Sequence, residues 1–176
     1  MNDLKAKLDK VRARIASVCQ KADRNPDSVS LLAVSKRHSA SSIRTLVTAG
    51  QQHFGENYLQ EAVEKQQLLA DLDIIWHFIG PLQSNKTREV AEHFDWVQSV
   101  DKEKTLRRLS SQRPGKLPPL NICLQVNIDA EPQKSGAPVE AVHQLARLAN
   151  ELPGLKLRGL MAIPSVSAAG QTDSNS

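Results

Sequence analysis

The N-terminal part of the chain carries apolar residues at steps of four and three, a spacing that places them on one face of an α-helix. The pattern predicts an amphipathic helix over residues 3–22, with an apolar stripe made of Leu4, Leu8, Val11, Ile15 and Val18. The sequence Asn25-Pro26-Asp27 then ends the helix, because proline and its neighbours favour a turn. The chain therefore begins with a helix that buries a single face.

The rest of the chain alternates between short apolar runs and helix-length segments with apolar residues on one side. The runs are too short for helices and predict strands buried on both faces, as in a parallel sheet. They span residues 31–35, 53–55, 74–79, 96–100, 122–128 and 157–163. The segments between them predict helices over residues 39–49, 56–71, 84–93, 101–110 and 138–152. Such alternation is typical of βα units with right-handed crossovers.

Two architectures have this alternation, an open doubly wound sheet and a closed (β/α)8 TIM-type barrel. Neither G-x-G-x-x-G nor G-x-x-x-x-G-K-[ST] follows a predicted strand, so the phosphate-binding motifs common in open sheets are missing and the barrel is favoured. About six of the eight strands of such a barrel are predicted. We therefore expect residues 1–164 to form an incomplete α/β barrel with an additional N-terminal helix, and the polar residues 165–176 to form a disordered tail.

Composition agrees with one globular domain and argues against several functional classes. The 176 residues are 40% hydrophobic, carry a net charge of +4 and have a sequence pI near 9.2. Basic residues are mixed with acidic ones and only 3% of residues are aromatic, so nucleic-acid binding is not expected. No apolar run is long enough to cross a membrane and no signal segment starts the chain, which favours the cytoplasm. Cys19 and Cys123 stand in no metal-binding spacing and are expected to be free thiols.

Lys36 is the first candidate for chemistry, because it follows the first predicted strand. In a parallel βα barrel, functional residues come from the carboxyl ends of strands and the loops after them. A lysine amine at that rim can form a Schiff base with an aldehyde cofactor. Position alone leaves the simpler interpretation open, in which Lys36 is only solvated.

Further polar residues stand at or near other strand ends. Asn57 follows the second strand and offers both a donor and an acceptor, although Glu56 or Asn57 could equally help to start the next helix. His77 lies between large apolar residues, a setting typical of a core histidine, and no second ligand stands at metal spacing. Residues 80–86 contain polar donors and a lysine that suit either an anion site or simple helix capping. The sequence does not determine on which side of the sheet the following side chains lie: Gln125, Asn127, Arg158 and Met161.

Five segments together resemble a known family. They read AVSK (33–36), FGENYLQE (54–61), WHFIGPLQSNK (76–86), QVNI (125–128) with KSG (134–136), and RGLMAIP (158–164). In this order they resemble the pyridoxal phosphate homeostasis proteins, the YggS or PROSC family. Any one segment would only be suggestive, whereas five in sequence are specific.

The resemblance implies a barrel of the alanine racemase N-terminal-domain kind that holds pyridoxal 5′-phosphate (PLP) as a Schiff base on Lys36. It further implies that Asn57 lies beside the cofactor ring and that His77, Gln125 and Met161 line the barrel mouth. Family members are regarded as cytoplasmic, non-catalytic monomers that buffer the cofactor or deliver it to PLP-dependent apoenzymes. No catalytic or metal-binding residue is therefore expected.

The sequence departs from the family after Pro164. Family members continue with further strands that supply most of the phosphate binding, so we expect a C-terminally truncated chain with weaker cofactor binding. Strands without a partner would leave open barrel edges, and these favour aggregation or self-association.

The alternative function is that of a PLP-dependent amino-acid racemase-like enzyme. Racemases with this barrel need a second domain and a tyrosine base, and the chain has a single tyrosine, Tyr58. A non-catalytic PLP-binding protein of PLP homeostasis is therefore the favoured prediction.

Overall fold

The structure is a computed structural model that describes residues 2–164. The chain divides into two compact units, of which the first ends at His77 and the second starts at Phe78. The predicted tail, residues 165–176, lies outside the described residues. Within residues 2–164, no helix is long and apolar enough to cross a lipid bilayer.

The first unit alternates helices and strands, and its strands follow one another in chain order. Its elements are α1 (Asn2–Lys21), β1 (Ala33–Val34), α2 (Ala40–Thr48), β2 (His53–Glu56), α3 (Leu59–Leu68) and β3 (Ile75–Phe78), the last residue of which belongs to the second unit. The strand order is β1-β2-β3, and β1 runs parallel to β2 with Val34 opposite Gly55. Phe54 and Trp76 are both buried and place their ring centroids 6.3 Å apart. Aromatic packing therefore joins β2 to β3 in this core.

The second unit continues the same pattern. Its elements are α4 (Thr87–His93), β4 (Trp96–Val100), α5 (Glu103–Gln112), β5 (Leu120–Gln125), α6 (Val142–Glu151) and β6 (Leu155–Met161). β5 lies between β4 and β6 and runs parallel to both. Short 3-10 turns precede α4 and α6, at Ser84–Lys86 and Val139–Ala141. The described residues thus contain six strands, at the places where the apolar runs predicted them.

The apolar face of α1 differs from the predicted stripe. Val18 is 63% exposed, whereas its neighbour Cys19 is buried together with Leu8. The cause is Arg12, whose guanidinium donates to the carbonyl oxygens of Ala49 and Gly50 at 2.9 and 2.8 Å. A charged side chain thus faces α2, so the helix is rotated from the orientation that its apolar residues alone predict. The free thiol of Cys19 is buried, as expected for a residue on this face.

Three strand predictions also need correction. β6 spans Leu155–Met161 instead of residues 157–163, and it is not buried on both faces, because Leu160 is 62% exposed. β1 is not buried on both faces, because Val34 is 47% exposed and, within the first unit, this strand pairs only with β2. The fifth strand ends at Gln125 instead of residue 128. Asn127 leaves the strand because its side chain accepts from the backbone N–H of Glu131 and donates to the Glu131 carbonyl oxygen, which closes a loop. Only Val126 keeps a β-bridge, to Ala137 at the far end of this loop.

Gly136→Ala is expected to lower the free energy of unfolding by about 2–3 kcal/mol, from backbone strain and overpacking together. Gly136 has φ +129°, and an added Cβ would lie 2.6 Å from the backbone nitrogen of Asn127. Gly115→Ala is the matched control, because a Cβ there meets nothing within 4 Å. Urea unfolding followed by circular dichroism measures the difference. Equal midpoints for the two variants would contradict the prediction.

Candidate functional site

Lys36 lies in a tight turn directly after β1. The backbone N–H of His38 donates to the carbonyl oxygen of Ser35 at 3.0 Å, so that Lys36 and Arg37 are the two central residues of the turn. Arg37 has φ +63°, a left-handed value that glycine or asparagine adopts more easily than arginine. The Lys36 side chain is exposed. The structure therefore presents this lysine at the carboxyl end of the first strand, where the sequence predicted it.

Asn57 follows the neighbouring strand β2. The register that pairs Val34 with Gly55 continues beyond β1, because the Ser35 N–H donates to the Gly55 carbonyl oxygen at 2.9 Å. If this register is continued by two residues, Lys36 after β1 corresponds to Asn57 after the adjacent strand β2. Within the described residues, the Oδ1 atom of Asn57 is buried and has no hydrogen-bond partner. Because buried acceptors in native structures are normally satisfied, this atom fits a ligand that donates a hydrogen bond.

Three charged side chains, which we call the Glu56–Lys65–Glu61 chain, lie next to the turn. The Lys65 Nζ atom is 2.7 Å from the Glu56 carboxylate and 2.6 Å from the Glu61 carboxylate. Glu56 is fully buried, Lys65 is nearly so and Glu61 is partly exposed. The Ser35 hydroxyl donates to the same Glu56 oxygen at 2.7 Å. Charged groups thus link the end of β1, the end of β2 and helix α3.

Glu56 does not start a helix, so the predicted helix over residues 56–71 is wrong at its first residues. Glu56 is the last residue of β2, and α3 begins only at Leu59. The physical reason is its partner Lys65, which lies two turns into α3 and draws the carboxylate into the interior. The Glu61–Lys65 spacing of four residues is the one signal in the sequence that points to this cluster.

The environment of Glu61 favours its ionised form. Burial alone would raise the pKa of Glu61, but the hydrogen bonds from Lys65 and from the Arg37 backbone N–H together lower that pKa below its ordinary value. The Arg37 guanidinium lies 5.9 Å from the centre of the Tyr58 ring, within cation–π range. Arg37 is therefore held through both its backbone and its side chain.

His77 lies in β3 and contacts the histidine that starts β2. The Nε2 atom of His77 is 2.9 Å from the Nδ1 atom of His53, with the ring centroids 5.2 Å apart. Burial first, and then the charge of His53, lower the pKa of His77 to about 3. His77 is thus a buried, neutral ring at neutral pH. Its predicted place at the barrel mouth stays a prediction.

Gln125 and Met161 lie opposite each other in the second unit, at the ends of β5 and β6. Gln125 is buried, and its side-chain amide donates to the Ser135 carbonyl oxygen at 3.2 Å. Met161 is half-buried, and its carbonyl oxygen accepts from the Val126 N–H. The structure therefore places both residues at carboxyl strand ends, and their role toward a cofactor stays a prediction.

The segment at residues 84–86 does not have the predicted capping role, because among the described residues neither its 3-10 turn nor α4 has a side-chain cap hydrogen bond, and an anion site there stays a prediction. It forms a 3-10 turn, and the Lys86 amine contacts the Glu89 carboxylate at 3.1 Å. Over the described range, no three histidine, cysteine or acidic side chains form a group that could hold a metal ion.

Comparison with known proteins reveals close relatives. The sequence profile of the domain family described as "Alanine racemase, N-terminal domain" matches residues 6–175. The chain is 55% identical over 168 residues to the pyridoxal phosphate homeostasis protein of Pseudomonas aeruginosa, which covers 96% of this chain and 73% of the relative. The match of the family profile extends beyond Pro164, although the residues after Pro164 are predicted to form a tail that departs from the family.

Solved structures agree with this result. PipY of Synechococcus elongatus PCC7942, solved with PLP bound, matches with a TM-score of 0.73 and 41% identity, over 89% of this chain and 71% of that one. The alanine racemase of E. faecalis matches with a TM-score of 0.67 and 18% identity, over 92% and 44% of the two chains, and shows the fold alone. The predicted α/β fold of the alanine racemase N-terminal-domain kind is therefore confirmed.

Proposed function

The chain belongs to the pyridoxal phosphate homeostasis protein family, and we propose that it binds pyridoxal 5′-phosphate as a Schiff base on Lys36. The observation that carries the proposal is the arrangement at the ends of β1 and β2. There the exposed Lys36 side chain follows one strand, and the Asn57 Oδ1 atom, which is buried and has no hydrogen-bond partner among residues 2–164, follows the next. An amine and a hydrogen-bond acceptor at adjacent strand ends fit the chemistry of this cofactor. PLP supplies an aldehyde whose condensation with a lysine amine releases one water molecule.

Two residues of the first unit have different roles in cofactor binding. Lys36 provides the nucleophilic amine, and the turn around it fixes the position of the backbone from which the Lys36 side chain extends. Asn57 accepts a hydrogen bond from the bound ligand and so orients it. The roles that the resemblance implies for His77, Gln125 and Met161 toward the cofactor stay predictions.

We propose a non-catalytic role for the bound cofactor. Tyr58 is the single tyrosine of the chain and directly precedes α3. Its hydroxyl lies 3.5 Å from the Arg37 guanidinium. Racemases with this barrel use an opposing tyrosine base together with a second domain, whereas Tyr58 lies in the same unit as Lys36, which disfavours the racemase alternative. Buffering of PLP, its delivery to PLP-dependent apoenzymes, a cytoplasmic location and a monomeric state remain predictions, as does weaker phosphate binding.

The test is to add PLP to the chain, reduce with borohydride and map the labelled peptides by mass spectrometry. The expected result is one predominant label, on the peptide that contains Lys36. Lys36→Ala should lose that label, whereas Lys102→Ala, which removes an exposed helix-flanking amine, should keep it. Equal labelling of both variants, spread over surface lysines, would overturn the assignment. A parallel assay for alanine racemisation should detect no turnover, and turnover that depends on Lys36 would favour the enzyme.

A further inference from the structure

We infer that Glu61 and Lys65 of α3 are positioning residues that fix the turn bearing Lys36 by binding the backbone on both sides of that lysine. This inference rests on the proposed function of Lys36 as the residue that binds the cofactor. It assigns a part in cofactor binding to two side chains on a helix that the resemblance and the comparisons leave without a role.

The contacts are made to the two residues that flank Lys36. On one side, the Lys65 Nζ atom donates to the Ser35 carbonyl oxygen at 2.8 Å. On the other side, the Arg37 backbone N–H donates to the Glu61 carboxylate at 2.6 Å. The two side chains also contact each other at 2.6 Å, so they form a single clamp. The peptide groups before and after Lys36 are therefore tied to one rigid helix.

Burial makes this clamp stiff. Lys65 is almost completely removed from water and contacts Glu56, which is fully buried and also accepts from the Ser35 hydroxyl. Hydrogen bonds that involve charged groups are about twice as strong as neutral ones, and a low local dielectric strengthens them further. Movement of the turn would break several such bonds together. The Lys36 backbone is therefore fixed before any ligand arrives.

The conformation of Arg37 shows what the clamp must hold. Its φ of +63° is unfavourable for a residue with a Cβ, and such residues persist only where their surroundings impose the conformation. The Glu61 carboxylate accepts from the N–H of this same residue. Without it, the turn would be free to relax, and the backbone that carries the Lys36 side chain would no longer be held in one position at the end of β1. Alignment of reacting groups contributes strongly to the rate at which a bond forms.

The experiment compares three substitutions on α3. Glu61→Ala removes the acceptor, Glu61→Gln keeps an acceptor of the same reach, and Glu64→Ala is the matched control, since it deletes an exposed carboxylate one turn away on the same helix. Two quantities are measured for each variant. One is the hydrogen exchange rate of the Arg37 amide by NMR, and the other is the rate at which PLP labels Lys36 under borohydride trapping.

Glu61→Ala is expected to speed exchange of the Arg37 amide by about tenfold, because a charged hydrogen bond is lost. It should also slow the labelling of Lys36 by about five- to tenfold. Glu61→Gln should recover part of both losses, because its amide oxygen can still accept from the Arg37 N–H but carries no charge, and Glu64→Ala should change neither. If Glu61 had only a structural role, Glu61→Ala would lower the stability of the fold without selectively slowing the labelling of Lys36. Glu61→Gln would then not restore the two measured rates.

The two proposals fail in different ways. Unchanged Arg37 exchange in Glu61→Ala would overturn the clamp, whatever happens to labelling. Faster exchange of the Arg37 amide in Glu61→Ala, with unchanged labelling of Lys36, would overturn the role of Glu61 and Lys65 in positioning that lysine. Absence of Lys36 labelling in the unsubstituted chain would overturn the proposed function, and with it the positioning role that depends on it.

Discussion

Lys65→Met is expected to lower the free energy of unfolding by about 3–5 kcal/mol, because it leaves the buried Glu56 carboxylate without its partner. Glu56 is fully buried, and its Oε1 atom accepts from Lys65 and from the Ser35 hydroxyl. Its second oxygen, Oε2, is also buried and has no hydrogen-bond partner among the described residues. Loss of the ammonium group would therefore leave a carboxylate with one hydroxyl donor in a medium that solvates charge poorly. Urea unfolding at neutral pH measures the loss.

A double substitution separates the charge effect from the loss of packing. Glu56→Gln combined with Lys65→Met replaces the ion pair by neutral groups of similar size, so that no uncompensated charge is left in the interior. We therefore expect the double variant to be more stable than Lys65→Met alone. Lys5→Met is the control, because Lys5 and Asp9 form an ion pair with both side chains at least half exposed. Exposed pairs contribute about 0–1 kcal/mol, so a Lys65→Met loss no larger than the Lys5→Met loss would contradict the prediction.

The alternation of strands and helices could be predicted because each element carries its own signal. The helix predicted over residues 39–49 is found as α2, and the Ser39 hydroxyl accepts from the Ser42 N–H at its start, as is typical of a serine N-cap. Gly50 follows this helix in the sequence, and it has the left-handed φ of +83° that glycine tolerates at a helix end. Lys36 and Asn57 could be placed at strand ends for the same reason, since strand position follows from local pattern.

The charged and histidine pairs could not be predicted, because they join residues from different elements. Glu61 and Lys65 have the same spacing in the sequence as Lys5 and Asp9, yet one pair contacts a buried carboxylate and the other lies in solvent. Nothing within α3 distinguishes the two situations, since the difference comes from Glu56 on β2. The strand limits near Gln125 were missed for a related reason, because the loop is closed by a side chain that contacts a later residue.

The chain is expected to lose stability in acid through His77, by about 1.4 kcal/mol for each pH unit between 6.5 and about 3. In the unfolded chain His77 takes up a proton near its ordinary pKa of 6.5, whereas the folded ring stays neutral until about pH 3. Between these values the unfolded state binds more protons, so the free energy of unfolding falls as pH falls. The contribution is fully present above pH 6.5 and has decreased by about 4–5 kcal/mol at pH 3. Burial is the main cause, and the His53 ring at 2.9 Å adds to it.

The measurement is the difference in unfolding free energy between the unsubstituted chain and His77→Gln, taken at several pH values. Carboxylates such as Glu61 also lose stabilising contacts in acid. They do so in both proteins, so their contributions to the free energy of unfolding cancel in the difference. His77→Gln removes the titrating ring, so its stability should decline more slowly below pH 6.5. His38→Gln is the matched control, because His38 is exposed and should leave the decline unchanged. Parallel curves for His77→Gln and the unsubstituted chain would show that His77 is already protonated when folded, and that its contact with His53 tolerates a positive charge.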